Sequence, residues 1–87
     1  SLDIMEILER EGARVTYADP YVPSLRHNGS MMHAKSLTPA MIRAADCVVI
    51  ATAHKNIDFA MIAKHAKTIV DSRNALKGRR TRGVFKL

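Results

Sequence analysis

The chain has 87 residues, enough for one small domain whose core buries about 60% of the unfolded surface. Hydrophobic residues are 47% and charged residues 25%, which excludes wholesale disorder, and no apolar run approaches the ~20 residues of a membrane span. The net charge of +6 falls entirely in residues 73–87, through Arg73, Lys77, Arg79, Arg80, Arg82 and Lys86 with no acid, while the single Cys47 excludes an internal disulfide.

Ser1 can cap a first helix over about 2–11, with Asp3 and Glu6 in the first turn, where the helix dipole favours negative charge. Leu2, Ile4, Met5, Ile7 and Leu8 are its apolar residues, and Gly12 is its stop. Arg14-Val15-Thr16-Tyr17-Ala18 reads as a strand ended by Asp19-Pro20. Residues 19–37 hold Pro20, Pro23, Asn28 and Gly29 and read as one long loop, with Met31-Met32 packing it onto the body. Thr38-Pro39 starts a second helix that runs to about Ala45. Asp46 then precedes a strand over 47–52, apolar on both faces as in the interior of a parallel sheet, with Cys47 as a packing residue. Asp58 caps a third helix, in which Phe59, Ile62, Ala63 and Ala66 form a stripe at i, i+3, i+4, i+7. Thr68-Ile69-Val70 is a third strand ending at Asp71. Beyond Gly78 the text is basic and weakly patterned until Val84-Phe85.

The order α-β-α-β-α-β predicts an α/β fold of Rossmann-like type, a three-layer parallel sheet with helices on both faces. A first helix with no strand before it predicts that the first strand lies upstream. The expected division is an α/β domain over 1–78, truncated at its N-terminus, and a basic C-terminal tail over 79–87.

In such sheets ligands bind outside the carboxyl ends of the strands. That selects Asp19-Pro20-Tyr21, Thr52-Ala53-His54-Lys55 and Asp71-Ser72-Arg73-Asn74 as one polar rim. Arg73 suits a phosphate, which its guanidinium fork can grip at two points. Asp71 and Asn74 either contact a ligand or only shape the turn. His54 is either an acid, base or donor toward a ligand, or a histidine satisfied locally at a strand end. His27 and His33 fall in the long loop and His65 near a helix end, and without Cys or carboxylate at ligand spacing no metal site is expected. There is no G-x-G-x-x-G, no P-loop and no Ser/His/Asp or Cys/His arrangement.

Three stretches in order resemble the C-terminal, UDP-binding domain of the UDP-glucose/GDP-mannose dehydrogenase family. They are Ser1 through Leu8 with Gly12-Ala13 and Tyr17-Ala18-Asp19-Pro20-Tyr21, then Ala45-Asp46-Cys47-Val48-Val49-Ile50-Ala51-Thr52-Ala53-His54, then Ile69-Val70-Asp71-Ser72-Arg73-Asn74-Ala75. The resemblance covers about residues 1–76. It implies a parent enzyme that oxidises the C6 hydroxyl of a UDP-sugar to a carboxylate for polysaccharide precursor synthesis. Two NAD⁺ are consumed, through a thiohemiacetal and a thioester on a catalytic cysteine. NAD would be bound mainly by the parent's N-terminal domain. Cys47 does not match the catalytic motif, so no catalytic residue is expected here and the chain alone should be inactive. The resemblance assigns Arg73 to the bound nucleotide-sugar, with Asp71 and Asn74 ordering its turn and His54 in an open role, since Ala53 replaces a frequent acidic residue. His65-Ala66-Lys67 and the 71–75 stretch resemble the UDP-N-acetylhexosamine branch. A cytoplasmic, full-length homo-oligomer follows, with UDP-sugar as partner and neither membrane nor nucleic acid.

Two other classes remain. One is a non-enzymatic α/β interaction domain whose basic tail binds an acidic partner, protein or nucleic acid, and loses it steeply with salt. The other is a degenerate domain kept for dimerisation through an open sheet edge.

Overall fold

The computed structural model describes residues 2–27 and 29–86. It contains two compact units, Ser1–Ser36 and Leu37–Leu87. The boundary expected at 78/79 falls inside the second unit.

In the first unit, α1 spans Leu2–Arg10. The expected cap Ser1 lies outside the described residues. The helix stops as expected at Gly12, whose φ of +95 is the left-handed geometry that glycine tolerates. Gly12 N–H donates to Glu9 O at 3.0 Å and Ala13 N–H to Leu8 O at 3.0 Å, the paired bonds of a Schellman motif.

The strand expected over 14–18 does not form. Val15, Thr16 and Tyr17 favour extended backbone, but a strand exists only through a paired neighbour. Lys35 N–H donating to Tyr17 O at 2.8 Å is a single bond, short of a ladder. Conversely, the expected loop 19–37 contains a hairpin of β1 (Ser24–His27) and β2 (Ser30–His33), antiparallel, with His27 opposite Ser30. The two-residue connection is Asn28-Gly29, a strong hairpin signal in the sequence, and Gly29 has φ +79. Asn28 itself lies outside the described residues. Met31 is exposed, contrary to its expected packing, and Met32 is half-buried.

The second unit carries a parallel sheet in the order β3-β4-β5, with β3 Val48–Ile50, β4 Ile69–Asp71 and β5 Val84–Lys86. The α/β class with a parallel sheet therefore stands, although the sheet is not built from the three expected strands. Residues 84–86, inside the stretch expected as a basic tail, form its third strand. The core is Ile42, Ile50, Ile62, Ala66, Ile69, Ala75 and Leu76. Ile62 and Ala66 of the predicted stripe are buried in it, and Phe59 and Ala63 pack against it.

Both helices of this unit start as their sequences dictate. Thr38 caps α2 (Pro39–Ala44), accepting from Met41 N–H at 3.1 Å, and Pro39 sits in the first turn. Asp58 caps α3 (Phe59–His65), accepting from Met61 N–H at 3.0 Å. Replacing Asp58 by Ala removes that acceptor and should cost about 1 kcal/mol, read as a lower midpoint in urea denaturation. An unchanged midpoint would mean that α3 is set by packing alone. Arg43 donates to His65 Nδ1 at 3.0 Å, a link between α2 and α3.

Cys47 corrects another expectation. It is exposed, because the ladder begins one residue later at Val48. No helix among the described residues is long and apolar enough to cross a membrane.

Candidate functional site

Parallel pairing sets Ile50 opposite Asp71 and Asp71 opposite Lys86, so the carboxyl ends of β3, β4 and β5 share one edge. What leaves that edge is the segment 51–58 after β3 and the turn 72–78 after β4. Open parallel sheets put ligands there.

Asp71 organises the second turn. It is 1% exposed, a burial that a carboxylate tolerates only when its oxygens are satisfied. Three backbone amides satisfy them. Oδ1 accepts from Arg73 N–H at 3.2 Å and Ala75 N–H at 2.9 Å, and Oδ2 accepts from Leu76 N–H at 3.0 Å. Burial alone pushes its carboxyl upward, but these three amides and the Lys86 charge outweigh it, holding it below its ordinary value. Of the two roles open to Asp71 in the sequence, shaping the turn is the one its contacts carry.

Ser72 fastens the turn to β3. Its N–H and Oγ–H both donate to Ile50 O, at 3.2 and 2.7 Å. The Ala75 and Leu76 side chains lock into the core, and Asn74 takes φ +53, which asparagine accepts more readily than most side chains. Arg73 thus stands on a backbone fixed from both sides. Its side chain is exposed, and no hydrogen bond or ion pair holds its guanidinium among the described residues.

The structure brings Asp71, Arg73 and Asn74 together on this turn. His54 follows β3 from the same edge and is half-buried, and its carbonyl accepts from Ile57 N–H at 3.2 Å. The third expected segment belongs to the first unit and follows no strand. There Asp19 Oδ1 accepts from Tyr21 N–H at 2.7 Å and Val22 N–H at 3.2 Å, closing a local turn. Lys86 is the rim residue that sequence reading missed. Its signal was the short Val84-Phe85 pair before it, too brief to be read as a strand. Among the described residues, no group of three or more His, Cys, Asp or Glu could hold a metal ion.

The edge therefore offers an exposed guanidinium and an exposed ammonium beside a carboxylate already committed to backbone amides. Chemically it can take an anion. The family model for the UDP-glucose/GDP-mannose dehydrogenase family, UDP binding domain, matches residues 1–78. No curated protein and no solved structure matches the chain.

Proposed function

The chain belongs to the UDP-glucose/GDP-mannose dehydrogenase family through its UDP-binding domain, and we propose that the turn after β4 holds the diphosphate of a UDP-sugar. The observation that carries this reading is the exposed Arg73 guanidinium, without a partner among the described residues, on a turn anchored by buried Asp71 at the carboxyl end of a parallel strand. A guanidinium fork matches two phosphate oxygens, and a fixed backbone lowers the entropy lost on binding. Asp71 acts through the turn. Asn74 and His54 are the further polar groups of the same edge.

In this reading the oxidation of the sugar C6 hydroxyl to a carboxylate takes place outside these residues. The chain serves it by fixing the remote nucleotide, which orients the reacting sugar. We infer a cytoplasmic, homo-oligomeric dehydrogenase making polysaccharide precursors, with UDP-N-acetylhexosamine favoured by the 65–67 and 71–75 stretches.

NAD, which the family implies, does not fit the residues present. A dinucleotide turn needs glycines where backbone meets pyrophosphate. The turn after β4 instead has Asp71, Ser72, Arg73 and Asn74, with the Asp71 carboxylate filling the space beneath its amides.

Calorimetric titration of UDP tests the proposal, on the wild-type chain and on Arg73→Ala, with folding checked by circular dichroism. Arg73→Ala should weaken UDP about tenfold or more without altering the fold. A folded wild type that ignores UDP, or a mutant that binds as tightly, would sink it. The reading with an acidic partner finds less support. Arg80 is spent on internal carbonyls and 84–86 is a sheet strand, so little of the basic stretch is a free arm.

A further inference from the structure

We propose that Lys86 is a second anion contact beside Arg73, so that the β4–β5 edge takes the two adjacent phosphates of a nucleoside diphosphate. The inference rests on the reading above and deepens it.

Residues directly opposite in paired strands share a sheet face. Asp71 is opposite Lys86, and Ile69 is opposite Val84. Ile69 is buried in the core and Val84 packs against it, while Phe85, between Val84 and Lys86, points the other way and is 61% exposed. Lys86 therefore stands on the core-bearing face, at its open end. The Asp71 carboxylate on that face receives the amides of Arg73, Ala75 and Leu76, so the turn carrying Arg73 folds over the same face. Lys86 lies one strand spacing, about 5 Å, from Asp71, the residue on whose carboxylate the Arg73 turn is built.

Serving Asp71 does not use Lys86 up. The carboxylate already has three amide donors, and the ammonium makes no hydrogen bond or ion pair among the described residues. Its charge reaches Asp71 only through space. Lys86 and Arg73 are thus two exposed cations at one edge, and the Asp71 carboxylate there, its oxygens already taken by three amides, leaves both able to meet an incoming anion. Their chemistries differ usefully. The guanidinium fork fits one phosphate at two oxygens, and the ammonium is a mobile point charge for the next phosphate.

The test titrates UDP and UMP into the 87-residue chain as wild type, Lys86→Gln and Lys86→Arg, each checked for folding by thermal melting. Lys86→Gln should weaken UDP about tenfold and leave UMP within about twofold, while Lys86→Arg keeps most of the UDP affinity. If glutamine at this exposed site prevents folding, Lys86→Met gives the same comparison. Unchanged UDP affinity in Lys86→Gln overturns the proposal, and so does an equal loss for UDP and UMP. UDP binding lost in Arg73→Ala but intact in Lys86→Gln removes Lys86 and leaves the Arg73 reading standing. A folded wild type that does not bind UDP overturns both.

Discussion

Asp71→Ala should lower the unfolding free energy by about 3 kcal/mol, the largest effect expected from a single substitution here. The side chain is 1% exposed and accepts from three backbone amides. Removing it strands those three donors, and each stranded buried donor costs about 1–3 kcal/mol, with less than full additivity. A small domain holds only about 5–10 kcal/mol in total, so the loss is a large share. Asp71→Asn keeps one acceptor but aims an amide N–H at one of the same donors, and should fall between wild type and alanine. Urea denaturation followed by circular dichroism reads all three. Equal midpoints would show that the turn stands without the carboxylate.

The same contacts give the acid dependence. The Asp71 carboxyl is held below its ordinary 3.8 in the folded chain, so folding favours its ionised form. Its contribution is fully present above 3.8 and is lost as pH falls through the lower, folded value. The gap between wild type and Asp71→Asn should therefore be widest near about pH 7 and shrink below the ordinary value. A gap that stays constant through the acid range would mean that hydrogen-bond geometry, rather than charge, separates the two.

What the sequence displayed follows from how local each cause is. Thr38-Pro39 and Asp58 act within one helical turn, and both caps are where the text puts them. β3 and β4 are short apolar runs, visible before any partner is known. The 14–18 segment has the same β-favouring residues and no ladder, because pairing is a property of neighbours and not of the segment. Asn28-Gly29 is a hairpin signal, but Pro20, Pro23, Asn28 and Gly29 together have the composition of a loop. β5 was hidden for the opposite reason. Three residues after Gly83 show little periodicity, and only the parallel register with β4 makes them a strand. Arg73 could be singled out because a turn has no need of a guanidinium. The sequence leaves two roles for Asp71, and the burial that decides between them is set by residues far along the chain. Cys47 stands one residue before the ladder, a limit that pairing sets and local pattern does not mark.

Arg80→Ala should cost about 2–3 kcal/mol and loosen β5 before the rest of the sheet. The last carbonyls of a helix have no partner within it, and a cation there also meets the negative end of the helix dipole. Arg80 supplies both to α3. Its guanidinium donates to Ala63 O at 3.0 Å, to Ala66 O, and to Lys67 O at 3.1 Å, while Nε donates to Arg82 O at 2.7 Å. The segment entering β5 is thereby tied to the end of α3. Gly83 permits the close approach, since a Cβ there would lie 3.1 Å from the guanidinium and 3.4 Å from Lys67 O. Ile69 N–H then donates to Gly83 O at 2.9 Å, the first bond of β4 to the incoming strand. Arg80→Lys should restore only a fraction, because one ammonium cannot span three carbonyls and a return bond to Arg82. Amide hydrogen exchange separates this from general destabilisation. Val84 and Phe85 should exchange faster in Arg80→Ala while Val49 and Ile50 keep more of their protection, and a uniform loss would count against a local tie. Arg80 anchors the entry to β5 and Lys86 stands at its exit. A strand that frays from its entry no longer presents its last residue beside the Arg73 turn. Arg80→Ala should therefore weaken UDP in the manner of Lys86→Gln, although Arg80 itself spends its donors inside the fold.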